Sequence, residues 1–319
     1  MTDREEKISE LIKNELNNVD FFIAYGRGYD PIHVKPLFVY EEKDLDDLVM
    51  NIFCIHNNAS YLKTVKDKKV GIVVKGCDSR AVVQLIQEGL INRDNLRIIG
   101  IPCTGVISIK KLKEKMDISR VTEAKVESDS VIIKTSDEEK RFEKDDLLAD
   151  KCLWCQYPTP VIYDHLVGET IEPSRPKELE YKIVEEMEKE DLNVRFEYWN
   201  KELSRCIRCY ACRNVCPMCV CQDQCVMESR NPHWISLKSN ITEKVMIQLI
   251  HAIHLAGRCV SCGECERVCP MDIPIFKIKQ KMNQIVEELF DYKAGIDLEA
   301  TPPLYTFQVE EAKIKEREW

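Results

Sequence analysis

No apolar run in this sequence approaches the roughly 20 residues that a bilayer-spanning helix needs. The longest candidate, Val245 to Ala256, is interrupted by Gln248, His251 and His254. The opening Met1-Thr2-Asp3-Arg4-Glu5-Glu6-Lys7 has neither an apolar core nor a small-residue cleavage site, which argues against a signal peptide. The expectation is a soluble, cytoplasmic chain with no direct membrane insertion. A basic excess is missing too: 46 Lys and Arg stand against 55 Asp and Glu, a net charge of −9. The lysine-rich tracts Lys110–Lys115 and Lys134–Lys144 are interleaved with acids and read as solvated surface, so no nucleic-acid partner is expected. There is no nucleophile triad, P-loop or zinc-protease motif. Gly26-Arg27-Gly28 is too little for a phosphate-binding fingerprint and reads as a turn before Pro31. No catalytic residue is assigned.

Cysteine is the residue in excess, 16 in 319. Without an export signal, so many cysteines point to metal or redox chemistry rather than disulfides. Two runs stand out: Cys206-Ile207-Arg208-Cys209-Tyr210-Ala211-Cys212-Arg213-Asn214-Val215-Cys216-Pro217, and Cys259-Val260-Ser261-Cys262-Gly263-Glu264-Cys265-Glu266-Arg267-Val268-Cys269-Pro270. Both read C-x2-C-x2-C-x3-C-P, the run by which bacterial-type ferredoxins hold two [4Fe–4S] clusters. A tight loop aims three thiolates inward, and the last cysteine of each run reaches the other cluster. Cys206, Cys209, Cys212 and Cys269 are therefore assigned to one cluster, and Cys259, Cys262, Cys265 and Cys216 to the other. Structural zinc also uses C-x2-C, but seldom three cysteines at this spacing followed by C-P. Ile207, Val215, Val260, Val268, Ile273 and Ile275 are placed to keep water off the clusters.

Ahead of these runs the pattern is α/β. A length of 319 residues suggests two domains, and 44% apolar residues suffice for a core in each. Ile8, Leu11, Ile12 and Leu16 form a helical stripe, and Phe21–Tyr25 and Leu37–Tyr40 read as strands. Leu45, Leu48 and Val49 suggest a helix, as does the segment through Leu62. Val70-Gly71-Ile72-Val73-Val74 has the continuous apolar character of a strand buried on both faces. A helix follows it, with Asp78 or Ser79 placed to cap. The strand Leu96–Ile101 and a further helix repeat the βαβ pattern. Val131-Ile132-Ile133 suits a hairpin or edge strand. The fold expected is an α/β domain with a mostly parallel or mixed sheet over 1–170, then a charged helical connector over 171–204. A dicluster ferredoxin domain of α+β type follows over 205–278, with a helix and tail over 279–319.

Cys77 and Cys103 fall at the carboxyl ends of two strands, where open α/β sheets bind ligands. With Cys152 and Cys155 they supply four thiolates, enough for a third cluster; by spacing alone, buried thiols serve equally well. Cys219, Cys221 and Cys225 match no ferredoxin spacing and suit either a further metal, zinc or iron, or packed thiols. Cys54 and His56 read as structural. His251 and His254, at i and i+3 of a helix, read as a surface or interdomain feature.

Lys75-Gly76-Cys77-Asp78-Ser79-Arg80-Ala81, Gly100-Ile101-Pro102-Cys103 and Cys152-x2-Cys155 resemble the β-subunit family of coenzyme F420-reducing hydrogenases and formate dehydrogenases. Both cysteine runs, Cys219-x-Cys221 and Pro302-Pro303-Leu304-Tyr305 extend the resemblance from about Cys54 to Tyr305. The resemblance implies an anaerobic iron–sulfur flavoprotein subunit with FAD in the α/β domain beside a third cluster on Cys77, Cys103, Cys152 and Cys155. It makes Asn57, Lys75, Asp78 and Arg80 candidates for the flavin pocket. Members that use coenzyme F420 carry a Cys-Gly-Gly segment at the head of the first helix, where this chain has Thr2-Asp3-Arg4-Glu5-Glu6.

The function expected is electron transfer within an oxidoreductase complex of formate dehydrogenase type. Its partner would be a molybdenum or tungsten formate dehydrogenase-like subunit, a hydrogenase, or heterodisulfide-reductase-like subunits. Two alternatives remain: a self-contained flavin enzyme oxidising reduced deazaflavin or NAD(P)H, and a cluster-bearing docking adapter. A flavin is the usual adapter between two-electron donors and one-electron clusters.

Overall fold

The computed structural model describes residues 2–127, 129–221 and 224–307; the acid- and lysine-rich end of the tail, 308–319, lies outside them. A five-stranded sheet organises the first half, in the order β2 (Val34–Val39), β1 (Phe21–Arg27), β3 (Val70–Val74), β4 (Leu96–Gly100) and β8 (His165–Leu166). Only β2 runs antiparallel, paired with β1, so the sheet is mixed. Every residue of β3 is buried, as its unbroken apolar run requires of a central strand covered on both faces. One face packs Ile8 and Ile12 of α1 (Asp3–Glu15) against Val73 and Ile99. Thr2 caps α1 and Glu5 closes the capping box; the other Glu5 oxygen accepts from the backbone N–H of Met50 at 2.9 Å. The helix head therefore serves as a structural cap.

The other face packs Leu85 of α2 (Gly76–Gln87) with Ile72, Val74 and Ile98. The same cluster takes in Leu255, Val260, Val286 and Tyr292 from the second half, so the halves share one core. Polar links reinforce that seam. Arg80 donates to the Ala294 carbonyl at 2.8 Å, Tyr292 to Gln84 at 3.0 Å, and Lys63 to the Cys216 carbonyl at 2.9 Å. Arg258 forks onto the Glu88 carboxylate.

Several local expectations shift. The segments at Leu45–Val49 and Asn58–Leu62 are 3-10 turns, over Glu42–Asp47 and Asn58–Thr64, not α-helices. Helix α2 starts earlier than read: Lys75 is the N-cap, and Asp78 accepts from its N–H at 2.9 Å from the third helical position. Val131–Ile133 is the middle strand of a separate antiparallel sheet, β5 (Val121–Glu127), β6 (Ser130–Thr135) and β7 (Glu139–Glu143). Helix α3 (Ile109–Lys115) follows β4, and the charged connector holds two helices, α4 (Lys182–Glu188) and α5 (Leu192–Ser204).

The described residues of 205–307 hold helices and loops and no strand, where an α+β domain was expected. The backbone there is spent on cysteine loops. Arg208 and Tyr210 in the first run, and Ser261 and Gly263 in the second, all take positive φ. Each loop leads into one short helical turn, Ala211–Asn214 and Glu264–Arg267. The two runs thus repeat in backbone conformation as in sequence. Helices α6 (Ile241–Ile253) and α7 (Ile275–Phe290) pack beside them.

Candidate metal centre

The structure brings the ferredoxin cysteines into two groups. Cys206, Cys209, Cys212 and Cys269 line one small cavity with Gln248, Ile247, Ile273 and Ile275. Cys265 feels the charges of Cys259, Cys216 and Cys262, the second group. The last cysteine of each run thus lies with the other run's first three. Burial pushes the Cys212 thiol up to about 11 and raises Cys259, Cys262 and Cys265 as well. Thiols so buried keep their protons unless a metal draws out the thiolate. Among the described residues no three His, Cys, Asp or Glu side chains close round a point as the ligands of a single ion would. A [4Fe–4S] cluster asks for four thiolates spread over the corners of a cube, each on its own iron. The residues fit that group.

Cys77, Cys103, Cys152 and Cys155, from three separate segments, all line one cavity of about 320 Å³ at the seam between the halves. Strands β3 and β4 are parallel neighbours, so the loops leaving their carboxyl ends set Cys77 beside Cys103. The third segment is clamped over them. Cys103 donates its backbone N–H to Pro158 at 2.9 Å, and Ser79 accepts from the N–H of Val161 at 2.9 Å. Gly76 makes the clamp possible: a Cβ there would lie 1.7 Å from the Tyr157 carbonyl oxygen. The thiols sense one another, Cys152 with Cys103 and Cys155, and Cys77 with Cys103. Burial pushes Cys152 up to about 12. These four also fit a cluster.

Val260 and Ser261, from the loop of the second ferredoxin group, form part of this cavity's wall. Lys151 lies between the two sites. It is buried, donates to the Ile55 carbonyl at 2.9 Å, and stands 4.0 Å from Glu264. Burial opposes its charge, but Cys77 and Glu264 outweigh that and raise its pKa, with help from Cys152 and Cys262.

The four flavin candidates are all buried and held by the protein itself. Asn57 caps a 3-10 turn and donates to the Cys77 carbonyl at 3.3 Å. Lys75 donates to Asp78 at 2.9 Å and to the His56 carbonyl at 3.0 Å, and contacts the Tyr25 hydroxyl. Tyr25 in turn donates to Asp78 at 2.6 Å. Arg80 points at Ala294 and lies over the Tyr157 ring. Of the four, Lys75 and Arg80 border the cysteine cavity.

The remaining cysteines part company. Cys219 takes a hydrogen bond from Cys216, which lowers its pKa, while Cys221 and Cys225 lie together beside Arg213. Cys219 also feels the charge of Cys221, and Arg213 that of both Cys219 and Cys225. Cys54 is wholly buried and burial raises it to about 12, a structural thiol. His251, read as a surface or interdomain feature, is buried, whereas His254 is exposed. Helix α6 buries the face carrying Ile247, Gln248 and Ile250 beside the first cysteine group, and His251 falls on that face.

Residues 67–220 match the model of the C terminus of the coenzyme F420 hydrogenase/dehydrogenase β subunit, and residues 202–273 match a 4Fe-4S dicluster domain. The chain is thus similar to the C-terminal region of the β subunits of that hydrogenase/dehydrogenase family, followed by a match to a 4Fe-4S dicluster domain. Among curated relatives, the β subunit of F420-dependent formate dehydrogenase from Methanocaldococcus jannaschii is 27% identical over 91% of this chain and 90% of its own length. The β subunit of F420-dependent formate dehydrogenase 1 from Methanococcus maripaludis is 27% identical over 90% and 89%. A chain of the F420-reducing [NiFe] hydrogenase complex from Methanosarcina barkeri overlaps 47% of this chain and 59% of its own, at 19% identity and a TM-score of 0.38. With β subunits of formate dehydrogenases as homologues and a match to a 4Fe-4S dicluster domain, the chain is an iron–sulfur electron-transfer subunit of an oxidoreductase complex.

Sequence reasoning missed Lys151 and Lys279, the buried cations beside the cysteine groups. Lys279 had a signal: three residues after Phe276, it falls on the buried face of α7.

Proposed function

We propose that this chain is the β subunit of a formate dehydrogenase-type complex and relays electrons through three [4Fe–4S] sites in series. One observation carries the order: the cavity holding Cys77, Cys103, Cys152 and Cys155 shares a wall with the Cys259–Cys262 loop. The seam site therefore hands to the second ferredoxin site, and that to the first, where Cys209 is exposed. The clusters supply one-electron chemistry when bound. The protein's own part is to place twelve thiols, keep water away with Ile273, Ile275 and Val260, and hold Lys151 between sites.

The seam end is where a two-electron carrier would exchange. A second cavity of about 400 Å³ lies across Lys151 from the cysteine cavity, lined by His33, His56, Lys110 and Arg267 among others. His56 Nδ1 is buried there without a partner among the described residues. We assign this cavity to a flavin, whose polar ring edge would satisfy His56 and whose phosphates would compete with Asp272 for Lys110 and with Glu264 for Arg267. Supporting F420 as the two-electron carrier, both curated relatives are named F420-dependent. The helix head, built here as a Thr2–Glu5 cap, differs from the Cys-Gly-Gly segment that F420-using members carry.

The test is Cys103→Ser in the complex purified anaerobically from its native source. Acceptor reduction should be lost while dithionite still reduces the ferredoxin sites. Turnover at the wild-type rate would overturn the relay order.

A further inference from the structure

Lys279, on α7, is 2% exposed, and its Nζ has no hydrogen-bond partner among the described residues. No carboxylate pairs with it. An ammonium carries three donors and no acceptor, so leaving it buried and unpaired is costly unless something negative faces it. The thiols of both ferredoxin groups do. Helix α7 lies against both: its Ile275 and Ile278 pack with Cys206, Cys212, Cys265 and Cys269, and Asn283, one turn on from Lys279, donates to the Cys259 carbonyl at 3.0 Å. Two further polar groups nearby are unsatisfied in the same way: Oε1 of Gln248, whose amide reaches towards Cys206 at 3.9 Å, and both ring nitrogens of His251. Burial first, and the Lys279 charge second, disfavour a proton on His251, which leaves Lys279 as the cation on this face.

We propose that Lys279 is a shared electrostatic control for the two ferredoxin clusters, its ammonium raising both reduction potentials and easing electron passage between them. The inference rests on the two-cluster reading of Cys206–Cys269. Each cluster becomes more negative by one charge on reduction. A fixed positive charge in a site that excludes water stabilises the reduced form more than the oxidised one. Lys279→Met keeps the apolar stem and removes the charge. Lys279→Gln removes the charge and keeps a donor, and Lys279→Arg keeps both.

The experiment is a potentiometric titration of the full chain, purified anaerobically, with the reduced clusters read by electron paramagnetic resonance. The Met and Gln variants should be about tenfold harder to reduce at both ferredoxin sites, a fall of about 59 mV for one electron. The Arg variant should return to the wild-type potential. Unchanged potentials in Met or Gln, a shift at one ferredoxin site alone, or an Arg variant as low as Met would overturn the proposal. If Met and Gln fail to retain iron, retention by Arg still marks the charge as the requirement, and loss in all three variants would overturn it. Iron and sulfide analysis of the wild-type chain separates failure of this inference from failure of the cluster reading beneath it.

Discussion

Asp78→Ala removes the carboxylate at the centre of the buried knot beneath the seam cavity. Asp78 and Lys75 side chains are 0% and 2% exposed, and the pair is 2.9 Å apart. After the substitution the Lys75 ammonium keeps only the Tyr25 hydroxyl and the His56 carbonyl, neither of them charged. Breaking one partner from a buried pair costs about 3–5 kcal/mol, mostly as an uncompensated buried charge. At roughly 2 °C or more per kcal/mol for a chain of this size, the midpoint should fall by about 6–10 °C. The double substitution Lys75→Met with Asp78→Asn removes both charges. It leaves an oxygen to accept from Tyr25 and from the backbone N–H of residue 75, so it should cost clearly less than Asp78→Ala alone. Anaerobic urea unfolding followed by circular dichroism measures both. A loss below about 1 kcal/mol for Asp78→Ala, or a double variant as unstable as the single, would refute the reasoning.

Other outcomes follow from the same geometry. Gly76→Ala would drive a methyl into the Tyr157 carbonyl and lift the Cys152–Cys155 segment, so bound iron should fall by about four per chain while the ferredoxin signals stay. His56 is pushed down from 6.5 to about 4, by burial and then by the Arg267 charge. The unfolded chain therefore binds the proton first, and folded-state stability, full above pH 6.5, is lost as pH falls toward 4, by about 3 kcal/mol in all. His56→Gln should flatten that slope in urea titrations of flavin-free protein across the same range. Glu88→Ala strips the acidic partner of Arg258 at the seam and should cost about 3 kcal/mol; calorimetry should still show one transition, because the halves share a core.

The dicluster domain was legible because its cysteines lie in local runs of fixed spacing. The seam site was half legible. The strand ends located Cys77 and Cys103, but bringing Cys152 and Cys155 to them depends on the Pro158–Val161 segment folding back, which no local pattern encodes. The α/β character of the first half was readable from β3 and β4. The 3-10 turns after β2 and before β3 were not, because apolar residues at i and i+3 satisfy either helix type over so short a span. Lys75 and Asp78 were flavin-pocket candidates through the family resemblance, while the residues themselves read Asp78 as a helix cap. Here Tyr25, from a strand distant in sequence, closes them into the core. The buried lysines escaped notice because their partners are the cysteine groups themselves.

The central claim is a chain of three clusters. Iron and acid-labile sulfide, measured on the full chain purified anaerobically beside its Cys103→Ser variant, test it most directly. Three clusters predict about twelve irons in the wild type and about eight in the variant. About eight irons in both, or zinc in place of iron at the seam, would contradict it.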